Sequence, residues 1–141
     1  MAEFNYTKEL NTNVDYDYIT DAMTGDRDAR MHLYFQLLHS FQKADSVDII
    51  VSFLMESGVK MLIEDLEKAL KRGAKIRILT GNYLGITQPS ALYLIKRKLG
   101  DQIDLHFYNE KSRSFHPKSY IFHYEDYNEI YIGSSNISRS A

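Results

Sequence analysis

The chain has 141 residues, the size of one domain, with a formal net charge of −2 and no cysteine. Disulfides, thiol catalysis and cysteine-type zinc sites are therefore excluded. No apolar run approaches a membrane span, and the N-terminus lacks a basic region followed by an apolar stretch, so the sequence predicts no membrane association, no secretory signal and a cytoplasmic location.

Residues 1–20 are polar, with Asp15, Asp17 and several tyrosines, and read as an arm or a short strand. Thr24-Gly25-Asp26 offers side chains that satisfy free amides at a helix start, and Met31, Tyr34, Phe35, Leu38 and Phe41 then recur at helical spacing through Lys43. Ser46 to Leu54 is an apolar, β-branched run with the length of a buried strand. A helix beginning at Ser57 or Gly58 carries the stripe Val59, Leu62, Ile63, Leu66, Ala69 and Leu70, and Gly73 can end it. Lys75 to Thr80 is a second buried-type strand, so Ser46 to Thr80 reads β-α-β with parallel strands and a right-handed crossover. After a loop over Gly81 to Gln88, Pro89 opens a helix carrying Leu92, Ile95 and Leu99, with Gly100 as its stop. Strands follow over Ile103–Tyr108, Phe115–Tyr124 and Glu129–Gly133. The expected organisation is an N-terminal arm and helix over 1–43 and an α/β domain over 44–141, a mixed β-sheet flanked by helices. The chain stops soon after its Gly-Ser-Ser-Asn turn, which suggests a fragment of a longer protein, with a small complete domain as the competing reading.

Charge is unevenly spread. Residues 1–70 carry 6 Lys/Arg against 13 Asp/Glu, a net of −7; residues 71–141 carry 11 against 6, a net of +5. The positive half is compatible with a local site for a phosphate backbone, and equally with ordinary solvated faces.

That half holds His116-Pro117-Lys118 and Gly133-Ser134-Ser135-Asn136. Two residues apart on a strand, His116 and Lys118 point the same way. A hairpin centred near Asp126 sets Lys118 opposite Ser134 and His116 opposite Asn136, and opposite residues share a face. The patch would combine a nucleophile or acid, a fixed positive charge, and hydroxyl and amide donors from Ser134, Ser135 and Asn136. Such a set can attack a phosphodiester without a metal: Lys118 offsets the anionic charge, the donors stabilise the five-coordinate phosphorus, and neutral imidazole gives a phosphohistidine. In-line displacement also needs an acid on the far side of the phosphorus. One His cannot occupy both sides, and a two-fold homodimer is the simplest source of a second.

The remaining histidines read as structural. His32 and His39 belong to the first helix, His106 to packing, and His123 to the hairpin on the face opposite His116. Their spacing predicts no metal. Tyr120, Phe122 and Tyr124 suit core or dimer packing better than base stacking. The run Lys96, Arg97, Lys98 suits a solvated helix end, with nucleic-acid tracking as the sharper alternative.

At His116, Lys118, Gly133, Ser134 and Asn136 the chain resembles the phospholipase D superfamily, which is built on His-x-Lys, four residues and an Asp, then Gly-Ser-x-Asn. His123 occupies the Asp position. Over ADSVDIIVSFLMESGVKMLIEDLEKALKRGAKIRILTGNYLGITQPSAL, RSFHPKSYIF and IYIGSSNISRSA it is most similar to the phospholipase D-like domain at the N-terminus of bacterial superfamily 2 (DEAD/DEAH-type) helicases and related restriction-type proteins. The resemblance implies a metal-independent, cofactor-free nuclease or phosphodiesterase acting on DNA, with His116 as nucleophile or acid. It further implies a homodimer and a C-terminal, ATP-binding helicase domain in the parent protein. The alternative it leaves is a catalytically inactive module that binds nucleic acid and dimerises a helicase. Phospholipid hydrolysis is less favoured, because no interfacial amphipathic helix or lipid anchor is evident.

Overall fold

The computed structural model describes residues 33–139. The chain divides into two compact units, 1–37 and 38–141, and among the described residues every strand lies in the second. The proposed arm over 1–20, the helix start at Thr24-Gly25-Asp26 and His32 lie outside the described residues.

The elements are α1 (Leu33–Phe41), β1 (Ser46–Val51), α2 (Glu56–Lys71), β2 (Lys75–Gly81), α3 (Pro89–Leu99), β3 (Ile103–Tyr108), β4 (Lys118–His123) and β5 (Asn128–Ile132). They build one five-stranded mixed sheet in the order β3-β2-β1-β4-β5. β1, β2 and β3 are parallel; β4 runs antiparallel to β1, and β5 antiparallel to β4. A parallel crossover is right-handed, and two that step the same way across a sheet deliver their helices to the same face. α2 and α3 accordingly pack side by side.

The covered face is apolar. Val47, Ile49 and Val51, then Ile76 and Ile78, then Tyr120 and Phe122 are all buried. So are Val59, Leu62, Leu66 and Ala69 of α2 and Ala91, Leu94, Ile95 and Leu99 of α3. Phe41, in the last turn of α1, meets Phe122 edge to face with centroids 5.1 Å apart. The alternating burial in β1 and β2 is what a sheet covered on one side requires. The other face carries a charged row, Asp48, Arg77 and Asp104, in register across β1, β2 and β3.

Gly73 and Gly100 stop α2 and α3 as anticipated, with φ of 99° and 60°. Other boundaries moved for identifiable reasons. The first strand ends at Val51 rather than Leu54, because the amides of Ser52 and Phe53 leave the ladder for the side chain of Asn136. β4 begins at Lys118 rather than Phe115, since Pro117 has no N–H to give a ladder. α2 starts at Glu56, ahead of Ser57 and Gly58. Its first amides are met by tertiary partners: Met55 N–H donates to the Ile137 carbonyl (2.9 Å) and Glu56 N–H to Gln88 Oε1 (2.7 Å). α1 ends at Phe41, before Lys43.

Candidate active site

The carboxyl ends of parallel strands leave a crevice in which open α/β sheets place their ligands. Here β1, β2 and β3 end there, β4 begins there, and the chain after β5 crosses the end of β1. Leu54 forms a parallel bridge with Ile137.

Lys118 is the first residue of β4, paired with Val51, and is half-buried. Its ammonium donates to the carbonyl of His116 (3.1 Å), and partial loss of solvent lowers its pKa from the ordinary lysine value. His116 is exposed and lies in the loop ahead of the strand. Its ring rests on Tyr83, centroids 4.1 Å apart and 31° between planes. Asn136 is buried, at 7% exposure, and its Oδ1 accepts the amides of Ser52 (2.9 Å) and Phe53 (3.2 Å). Those two bonds orient the carboxamide and leave its NH2 end without a hydrogen bond among the described residues. Ser134 is exposed and Ser135 half-buried, their hydroxyls likewise unbonded among those residues. The Ser135 carbonyl accepts from the buried Tyr120 hydroxyl (2.9 Å), whose pKa burial pushes up.

The hairpin register differs from the sequence expectation by one position. Ser119 pairs with Ile132 and Tyr120 with Tyr131, so Gly133 rather than Ser134 faces Lys118, with its amide 3.4 Å from the Lys118 carbonyl. The two-residue tip is Glu125-Asp126, closed by Tyr124 N–H to the Tyr127 carbonyl (2.9 Å), which shifts the centre by half a residue. Nor does His116 stand opposite Asn136 across a ladder, because β5 ends at Ile132 and the chain turns toward β1. The two motifs instead meet at Ser52. Its amide donates to Asn136, and its hydroxyl donates to the carbonyl of Pro117 (2.9 Å), the residue between His116 and Lys118.

Sequence reasoning missed Ser52 and Tyr83. The one signal for Ser52 was a hydroxyl residue interrupting the apolar run from Ser46 to Leu54; Tyr83 had none beyond its place in the loop after β2.

His123 is turned onto the open face, Nε2 2.9 Å from Asp48 and Nδ1 2.8 Å from Asn128. Asp48 also receives both nitrogens of an Arg77 fork, at 2.6 and 2.8 Å. His106 is exposed and paired with Asp104 (2.6 Å), in place of the packing role expected of it. His39 is exposed. Lys96, Arg97 and Lys98 occupy the last turn of α3, remote from the end that meets the site. Among the described residues no cluster of three or more His, Asp or Glu is arranged to hold a metal, and no helix is long and apolar enough to cross a membrane.

No curated protein sequence matches the chain. Among solved structures it is similar to polyphosphate kinase from Porphyromonas gingivalis, with a TM-score of 0.55 and 14% identity over 78% of this chain and 19% of that one. TrmBL2, an archaeal chromatin protein with a novel mode of DNA binding, is matched at a TM-score of 0.40, too low to establish a common fold, with 20% identity over 62% of this chain and 31% of that one. The chain thus spans about a fifth of the kinase and under a third of the archaeal protein. Residues 34–141 match the family described as "Cardiolipin synthase, PLD-like domain", and the chain belongs to that phospholipase D-like family.

Proposed function

We propose that this chain is a metal-independent phosphodiesterase, the nuclease domain of a larger DNA-processing, helicase-like protein. The observation that carries the reading is the fastening of His116-Pro117-Lys118 and of Asn136 to one buried residue at the end of β1, in a chain of phospholipase D-like family.

The exposed imidazole of His116 attacks phosphorus, forming a P–N bond as the P–O bond to the leaving group breaks. Lys118 offsets the phosphate charge, and the Asn136 NH2 with the Ser134 and Ser135 hydroxyls donates to the equatorial oxygens. The leaving oxygen takes its proton from the imidazole of a second copy, in line on the far side. That same imidazole then removes a proton from water, whose oxygen attacks phosphorus, restores His116 and releases a phosphomonoester. Two copies facing each other complete the site.

Incubating the chain with single- and double-stranded DNA in excess chelator tests this. Cleavage should persist in chelator, fall at least about 10³-fold in His116→Ala, and leave acid-labile phosphate on His116. Equal cleavage by wild type and variant would refute it. One observation favours a second reading, a non-catalytic module that binds nucleic acid and dimerises its parent helicase. The family's Asp position is His123, engaged with Asp48 on the open face of the sheet. Salt-dependent DNA binding without cleavage, in the parent protein as well, would decide for it.

A further inference from the structure

Ser52 is fully buried, and each of its three polar groups holds a different segment. Its amide donates to Asn136 Oδ1 (2.9 Å), its hydroxyl to the Pro117 carbonyl (2.9 Å), and its carbonyl accepts from the Tyr83 amide (3.4 Å). These segments carry the carboxamide, the His-x-Lys peptide and the ring under the His116 imidazole. A serine that merely ended a strand would need none of this convergence. The two backbone bonds are open to any residue but proline at the position; the third requires a side-chain hydroxyl. It fixes the peptide plane between His116 and Lys118, so its loss frees both side chains to turn relative to Asn136.

We infer that Ser52 is a positioning residue, whose hydroxyl sets the attacking imidazole and the Lys118 ammonium in register with the Asn136 donor. The inference rests on the phosphodiesterase reading above. A misplacement of about 1 Å in such a constellation costs on the order of 10²-fold in rate.

Hydrolysis of bis(p-nitrophenyl) phosphate by the full chain provides the test. Ser52→Ala should lower kcat about 10- to 100-fold per folded molecule while KM stays within about twofold, the pattern of a group acting in the transition state. Ser52→Thr, which keeps the hydroxyl, should recover most of the rate. A purely structural serine gives the opposite pattern, a lowered Tm with unchanged turnover per folded molecule, and that result would overturn the inference. NMR of the His116 ring keeps the two readings separable. Were wild type inert toward the probe and toward DNA, the phosphodiesterase reading would fail. Displacement of the ring resonances in Ser52→Ala would still support the positioning link, and unchanged resonances would remove it.

Discussion

Gly58 sets the clearance between the start of α2 and the segment after Asn136. A Cβ built there lies 2.4 Å from the Ile137 carbonyl carbon and 2.5 Å from the Ser138 nitrogen, both backbone atoms with no flexible end to move. Gly58→Ala should therefore cost about 1–3 kcal/mol in chemical denaturation. Because Ile137 is bonded to Asn136, phosphodiesterase activity should fall by more than the folded fraction does. A second residue-scale expectation concerns pH. Hydrogen bonds with Asp48, then Asn128, raise the pKa of His123, so its stabilising share is full below 6.5 and is lost as pH rises through the folded value. The hydrogen bond from Arg77, opposed by burial, lowers that of Asp48, whose share holds above 3.8 and is lost as pH falls through the folded value. The pair contributes most between those limits. The Tm deficit of His123→Gln should be largest near about pH 5 and shrink above neutrality, with a contribution below about 1 kcal/mol, since the pair is partly exposed. A deficit that is flat from acid to alkaline pH would show that the imidazolium plays no part.

At the scale of elements, the β4–β5 hairpin both supplies Lys118 and launches the turn that carries Asn136. The hydroxyl of Tyr120 in β4 donates to the Ser135 carbonyl, clamping that turn from below. Tyr120→Phe removes one largely buried hydrogen bond and should cost about 1 kcal/mol. Hydrogen exchange should quicken at Ser135 and Asn136 while the β1–β2 ladder keeps its protection; uniform loss of protection would mean the clamp is not local. The hairpin also shows where sequence pattern stops being informative. The turn residues Glu125-Asp126-Tyr127-Asn128 predict a hairpin and very nearly its centre. Its register depends on whether two or more residues form the tip, and a shift of one position reverses which side chains share a face. The Tyr124–Tyr127 closure settles that, and a residue pattern that suits either pairing cannot reveal it.

For the molecule as a whole, the proposed chemistry makes activity a property of two chains. Specific activity on DNA should fall as the protein is diluted through its dimer dissociation range, with sedimentation tracking the same transition. Activity per chain that stays constant where only monomer sediments would remove the need for the second imidazole.

Local sequence pattern was enough for the β-α-β-α-β succession and the glycine stops, because each is written in residues adjacent along the chain: buried β-branched runs, helical stripes, and positions that require positive φ. His116, Lys118, Ser134, Ser135 and Asn136 stood out for the same reason, as chemistry at short spacing. What joined them was beyond that reach. The bonds from Ser52 to Asn136 and Pro117, the ring of Tyr83 beneath His116 and the turning of His123 toward Asp48 link residues far apart in sequence. Such contacts exist only once the sheet brings strand ends together, so the tertiary structure decided them.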